Sequence, residues 1–105
     1  MADTLARLEA TILSRKGTDP KSSYVASLFA KGRPKIARKL GEEAVEAIVA
    51  SLAEDKAALT GEAADLIFHL MVLLADSAIA FDEVLAELGR REGVSGHDEK
   101  ASRTS

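Results

Sequence analysis

Residues 62–77, EAADLIFHLMVLLADS, decide the fold. On a helix that turns about 100° per residue, the ionisable side chains of this stretch fall within an arc of roughly 60°; they are Glu62, Asp65, His69 and Asp76. Apart from the terminal Ser77, the rest of the circumference is Ala, Leu, Ile, Phe, Met or Val. A helix this apolar is normally enclosed by other helices or by a partner chain. We therefore expect the narrow acidic line to face an interior or a cleft.

An earlier stretch, GEEAVEAIVA at residues 41–50, repeats the acidic spacing. Glu43 and Glu46 are three residues apart, as Glu62 and Asp65 are, so each pair lies on one side of its helix. If the two helices are antiparallel and face each other, four carboxylates surround one point, and divalent cations would relieve their repulsion. Ligation by oxygen alone favours a hard ion, Mg²⁺ or Mn²⁺, over zinc.

Of two other interpretations of these acids, one stays open at this point and the other is excluded. Glutamates on helices are usually solvated, and two such pairs are common in helical proteins. A carboxylate di-iron bundle requires Glu-x-x-His pairs, which this chain lacks. His69 comes four residues after Asp65, and we expect it to be a buried histidine with satisfied hydrogen bonds and no catalytic role.

A basic cluster precedes the acids and consists of Lys31, Arg33, Lys35, Arg38 and Lys39. Residues four apart lie on the same side of a helix, and this spacing relates Lys35, Lys39 and Glu43. The two lysines therefore lie on the side of the helix that carries the acidic residues, closer to the helix start. They would either pair with acids on a solvated face or neutralise a polyphosphate beside bound metal. Gly41 inside this helix suggests the close approach of a neighbouring helix or a ligand.

The remaining chain favours helices with short connections. Asp3 or Thr4 can cap a first helix that ends near Arg15, and Ser22 or Ser23 can cap a second over residues 24–30. Pro34 suits the first turn of a third helix over residues 35–53. A fourth helix runs from residue 57 or 60 to 77, and Asp82 caps a fifth over residues 83–92. We predict an all-α bundle of four to five helices at residues 1–92 and a disordered tail at residues 93–105.

Composition narrows the classes of partner. Among 105 residues the net charge is -3, with no basic excess for a nucleic-acid backbone, so we expect no nucleic-acid partner. The longest apolar run contains His69 and is too short to span a bilayer, so we expect no membrane partner. The chain has no cysteine, which suits a cytoplasmic protein.

Two segments together resemble the phosphoribosyl-ATP pyrophosphohydrolase family. The first is the pattern S-Y-x(7)-G-x-x-K-I-x-x-K-x-G-E-E-x-x-E, carried by Ser23, Tyr24, Gly32, Lys35, Ile36, Lys39, Gly41, Glu42, Glu43 and Glu46. The second is EAADLIFHLMVLL at residues 62–74. The resemblance covers about residues 3–92. The acidic pairs are typical of all-α nucleoside triphosphate pyrophosphohydrolases in general, whereas the first pattern narrows the match to this family. Val25 and the pair at residues 33–34 depart from it.

This resemblance implies a homodimeric enzyme of histidine biosynthesis that hydrolyses phosphoribosyl-ATP to phosphoribosyl-AMP and pyrophosphate. It implies that Glu43, Glu46, Glu62 and Asp65 hold Mg²⁺, and that Glu42 or one of those carboxylates, Glu43 among them, orients or deprotonates the attacking water. It further implies that phosphate oxygens meet Lys35 and Lys39, with Ser23, Tyr24 and Arg33 as weaker candidates.

Two alternatives to this function remain at the level of sequence. One is a house-cleaning enzyme of the same superfamily that acts on non-standard nucleotides, against which the S-Y and K-I-x-x-K segments argue. The other is a helical dimerisation module without catalytic activity.

Overall fold

The computed structural model describes residues 2–93 and 96–104, and this part of the chain contains helices and no strand. The helices are α1 (Ala2–Arg15), α2 (Tyr24–Lys31), α3 (Arg33–Leu52), α4 (Lys56–Asp76), α5 (Phe81–Arg90) and α6 (Gly96–Thr104). The predicted all-α fold is confirmed. The described residues form one helix more than the four to five predicted.

The two long helices, α3 and α4, pack against each other along their length and form the centre of the fold. Only residues 53–55 connect them, so the pair is an antiparallel hairpin. Pro34 lies in the first turn of α3, as predicted. Asp55 ends the connection, and its Oδ1 accepts a hydrogen bond from the Ala58 amide at 3.1 Å, which caps α4.

The core lies at one end of this hairpin, where α1 and α2 cover it. Its buried members are Ile12, Val25, Leu28, Ile36, Met71, Val72 and Ala75. Ile36 on α3 and Val72 on α4 are fully buried. Because these side chains fix the helices about two to three turns from the predicted acids, the core sets the spacing between the acidic faces of α3 and α4.

One predicted detail of helix geometry is wrong, and one of two alternatives for a second finds no support among the described residues. Asp82 does not cap α5: the helix begins at Phe81, and the Ala80 amide donates to the Glu83 carboxylate at 2.8 Å. A Cβ at Gly41 would meet nothing within 4 Å, so no helix among the described residues approaches there closely. The ligand alternative for Gly41 stays a prediction.

Most of the C-terminal segment predicted to be a disordered tail, residues 93–105, is described as the helix α6 (Gly96–Thr104). Residues 94, 95 and 105 of that segment lie outside the described part of the chain. The side chains of α6 whose burial is described are exposed. The division into a domain at residues 1–92 and a tail stays a prediction.

One side of α3 exposes large apolar side chains at helical spacing. This apolar face consists of Val45, Ile48, Val49 and Leu52, with exposed fractions between 58% and 79%. On the neighbouring helix, α4 has the length and the mean hydropathy, 1.6, of a membrane span, yet only 17% of its most apolar stretch is buried within the chain. The isolated chain thus leaves much apolar helix surface uncovered.

Candidate active site

Carboxylates from α3 and α4 converge on one point of the hairpin. Oxygen atoms of Glu43, Glu62 and Asp65 all lie within 4.8 Å of one another. Glu43 is buried, with 7% of its surface exposed, whereas Glu62 is half-buried and Asp65 is exposed. The fourth predicted acid, Glu46, is exposed and lies close enough to Glu43 and Glu62 to raise the pKa of both. The acidic cluster, as we name these four residues, therefore combines the two pairs noted in the sequence.

The acidic cluster is electrostatically strained. The Oε2 atoms of Glu43 and Glu62 are buried and have no hydrogen-bond partner among the described residues. Burial raises the pKa of Glu43, and the adjacent Glu46 carboxylate raises it further. For Glu62 the Glu46 carboxylate is the larger cause of the raised pKa, and burial is the second. Crowded, partly desolvated carboxylates require protons or a cation for compensation.

A lysine adjoins this acidic cluster on α3. The Nζ atom of Lys39 lies 3.2 Å from Glu42 Oε2 and 4.0 Å from Glu43 Oε1. The hydrogen bond to Glu42 raises the pKa of Lys39, and the neighbouring Tyr24 adds to the rise. The ammonium group therefore stays charged, and its side chain is 27% exposed, which leaves it accessible to a ligand. Lys35, one turn earlier, is half-buried.

Two weaker candidates for substrate contact have partners within the chain. Arg33 donates from Nε to Asp76 Oδ2 at 2.8 Å and from Nη2 to the Asp76 carbonyl oxygen at 3.0 Å. Ser23 caps α2, where its Oγ accepts from the Ala26 amide at 3.0 Å. The sequence placed Asp76 on the acidic line of α4 but did not indicate Arg33 as its partner. A contact of Arg33 or Ser23 with substrate stays a prediction.

Tyr24 connects α2 to the acidic helix α4. Its hydroxyl lies 2.8 Å from His69 Nε2, and His69 Nδ1 lies 2.7 Å from the backbone oxygen of Asp65. His69 is 4% exposed, and its ring meets the Phe68 ring edge-on at 5.0 Å between centroids. The expectation of a buried histidine with satisfied hydrogen bonds is confirmed. The link to Tyr24 was missed, because nothing in the spacing of residues 24 and 69 indicates that they meet.

The Tyr24 hydroxyl also borders the acidic cluster. Burial raises the pKa of Tyr24, the Lys39 ammonium lowers it, and the carboxylates of Glu43, Glu42 and Asp65 raise it. Tyr24 itself is half exposed. The site is thus a set of acids on α3 and α4 with a lysine and a tyrosine at its edge.

Comparison with known proteins agrees with this geometry. The family model described as phosphoribosyl-ATP pyrophosphohydrolase matches residues 5–92, which include every residue of the acidic cluster. The chain belongs to this family. Its resemblance to the family, drawn above from sequence patterns, is confirmed, and so is the expectation that the protein is a hydrolase.

Individual relatives match over nearly their whole length. A phosphoribosyl-ATP pyrophosphatase of Rhizorhabdus wittichii is 63% identical over 103 residues, which cover 98% of this chain and 97% of the relative. The protein of the same name from Novosphingobium aromaticivorans is 62% identical over 103 residues, 98% of this chain and 96% of the relative. The one from Dinoroseobacter shibae is 63% identical over 99 residues.

Proposed function

We propose that this protein hydrolyses phosphoribosyl-ATP between its α and β phosphates, giving phosphoribosyl-AMP and pyrophosphate in histidine biosynthesis. The observation that carries the proposal is the convergence of Glu43, Glu62 and Asp65 in a member of this family, with two buried carboxylate oxygens that have no hydrogen-bond partner in the described part of the chain. Relatives about 60% identical are named for the same substrate.

The acidic cluster fits a hard divalent cation. Its donors are all carboxylate oxygens, and the unpartnered Oε2 atoms of Glu43 and Glu62 are suited to face such an ion. We propose that Glu43, Glu46, Glu62 and Asp65 hold Mg²⁺, with Mn²⁺ as a substitute. When bound, the cation would acidify a coordinated water and offset negative charge on the phosphate oxygens.

Residues of the chain itself then bind phosphate and accept the proton of the attacking water. Lys39 can donate to phosphate oxygens while it stays next to Glu42, and Lys35 extends the positive charge by one helical turn. Glu42, or a carboxylate of the acidic cluster such as Glu43, accepts the proton of the water that attacks phosphorus. The protein's contribution is mainly the positions of these charges.

We propose that the functional unit is a homodimer. The apolar face of α3 and the exposed part of α4 leave large apolar side chains of one chain in contact with solvent. A second copy would offer the same surface in return, as two-fold symmetric contacts require. A bilayer is the poorer partner for α4, because its line of acidic residues, among them Glu62 and Asp65, would be costly in a hydrocarbon interior.

We also propose that the enzyme works in the cytoplasm. The chain has no cysteine for disulfide bonds, and the proposed substrate is a nucleotide derivative.

The test of function is pyrophosphate release from phosphoribosyl-ATP, compared with release from ATP and from non-standard nucleoside triphosphates, each with Mg²⁺ and with excess EDTA. We expect kcat/KM for phosphoribosyl-ATP to exceed every other value by far, and EDTA to abolish turnover. Faster hydrolysis of a free triphosphate would contradict the proposal and indicate a house-cleaning enzyme. No hydrolysis of any substrate by a dimer that is indifferent to Mg²⁺ would indicate an interaction module.

A further inference from the structure

The hydrogen bonds of His69 determine which ring nitrogen carries its proton. Nδ1 lies 2.7 Å from the Asp65 backbone oxygen, and a carbonyl oxygen can only accept a hydrogen bond. Nδ1 must therefore carry the hydrogen. In the neutral ring Nε2 then has no hydrogen and is an acceptor.

This assignment determines the direction of the next hydrogen bond. Nε2 lies 2.8 Å from the Tyr24 hydroxyl, so the hydroxyl must donate its only hydrogen to His69. The phenol oxygen keeps its lone pairs on the side away from His69. Toward the site it can accept a hydrogen bond but has none to donate.

A phosphate oxygen is therefore a poor partner for Tyr24, because both atoms would present lone pairs. A donor is the suitable partner, and the Lys39 ammonium group at the edge of the site can serve as one. The charge of this ammonium group opposes the rise in the pKa of Tyr24 that burial and the nearby carboxylates cause. Lys39 has three N–H donors, of which Glu42 takes one at 3.2 Å.

We propose that His69 is a positioning residue that makes the Tyr24 oxygen a hydrogen-bond acceptor, and that this oxygen holds the Lys39 ammonium at the edge of the acidic cluster. Tyr24 on one side and Glu42 on the other then restrain Lys39, with one N–H left for a phosphate oxygen. Tyr24 acts through Lys39 and does not touch phosphate, unlike the role that the family resemblance implied. The part concerning phosphate rests on the proposed function, whereas the proton assignment does not.

The proton assignment is tested by NMR of the histidine ring nitrogens at pH 8, where an ordinary histidine is neutral. The other histidine, His97, is exposed on α6, so His97→Gln leaves His69 as the single imidazole signal. We expect a hydrogen on Nδ1 and none on Nε2. A hydrogen on Nε2, alone or together with Nδ1, would overturn the proposal.

The link to Lys39 is tested by a double-mutant cycle of Tyr24→Phe and Lys39→Ala, with pyrophosphate release from phosphoribosyl-ATP as the assay. Tyr24→Phe keeps the ring that stacks on Phe68 and removes only the hydroxyl. We expect it to lower kcat/KM roughly three- to tenfold in the wild-type background, the effect of one hydrogen bond, and to have almost no effect once Lys39 is Ala. Additive losses would refute the link.

Wild type, the two single variants and the double variant of this cycle also test the proposal independently of the proposed function. Their unfolding transitions in EDTA need no substrate, and a coupling between Tyr24 and Lys39 should appear there as well. If phosphoribosyl-ATP is not hydrolysed, the proposed function fails, while the ring nitrogens and the unfolding cycle still decide the roles of His69 and Tyr24. Loss of both the tautomer and the coupling would refute the proposal even in an active enzyme.

Discussion

Replacing Glu43 by Gln tests the acidic cluster most directly, because the change should raise stability and abolish activity together. Glu43 is 7% exposed, and its Oε2 has no hydrogen-bond partner among the described residues. Gln has the same shape without the charge, and its amide can donate to the neighbouring Glu46 carboxylate. An unsatisfied buried polar group costs about 1–3 kcal/mol, so the variant should gain about that much free energy of unfolding in EDTA.

For a domain of this size, that gain corresponds to a Tm about 4–24 °C above wild type. Added Mg²⁺ should reduce or reverse this difference in Tm between Glu43→Gln and wild type. At a concentration of about 100 Kd, a ligand that binds only the folded state adds roughly 2.7 kcal/mol to wild type. The variant lacks a proposed ligand to the metal and should gain much less.

The assay is thermal unfolding of both proteins at equal concentration, in EDTA and across a Mg²⁺ titration, with pyrophosphate release measured alongside. Glu92→Gln is the matched control, since it removes one charge from an exposed glutamate outside the acidic cluster. The reasoning is refuted if Glu43→Gln is no more stable than wild type in EDTA and responds to Mg²⁺ equally. Near-normal kcat would exclude Glu43 as a metal ligand.

Four further outcomes are expected. Lys39→Ala should lower kcat/KM about 10- to 100-fold, the loss of one charge-assisted hydrogen bond, while the free energy of unfolding changes by less than about 1 kcal/mol. A loss of stability with little change in kcat/KM would show that Lys39 forms only a surface ion pair. Ile48→Asp should convert the proposed dimer to monomer in sedimentation velocity, and an unchanged dimer would place the interface elsewhere. In EDTA the raised pKa values of Glu43 and Glu62 favour the protonated folded state, so their contribution to stability is complete below pH 4.5 and is lost as the pH rises through the raised values. A variant with Gln at both positions should therefore show a flatter dependence of Tm on pH than wild type. Parallel curves of Tm against pH for the two proteins would contradict the assignment. Deleting residues 96–105 should leave kcat and KM unchanged, and a large loss of either would give α6 a role in the site.

Local sequence signals account for much of the fold. The apolar circumference of α4, the proline in the first turn of α3 and the serine cap at Ser23 are each decided within a few residues, so the sequence could predict them. The prediction that Asp82 caps α5 was wrong because an acidic residue near a helix start suggests a cap, whereas it is the Glu83 carboxylate that accepts a hydrogen bond from the Ala80 amide. That choice depends on the path of the chain before the helix.

The sequence by itself determined that the chain is helical, that two helices carry acids three residues apart, and that those acids belong on one line of each helix. Helical periodicity is a property of the backbone and can be read without tertiary contacts. Only the tertiary structure decided which side chains meet between helices: Arg33 with Asp76, and Tyr24 with His69. These partners are 43 and 45 residues apart in sequence, and they meet because the core between α2, α3 and α4 fixes the angle and register of the helices.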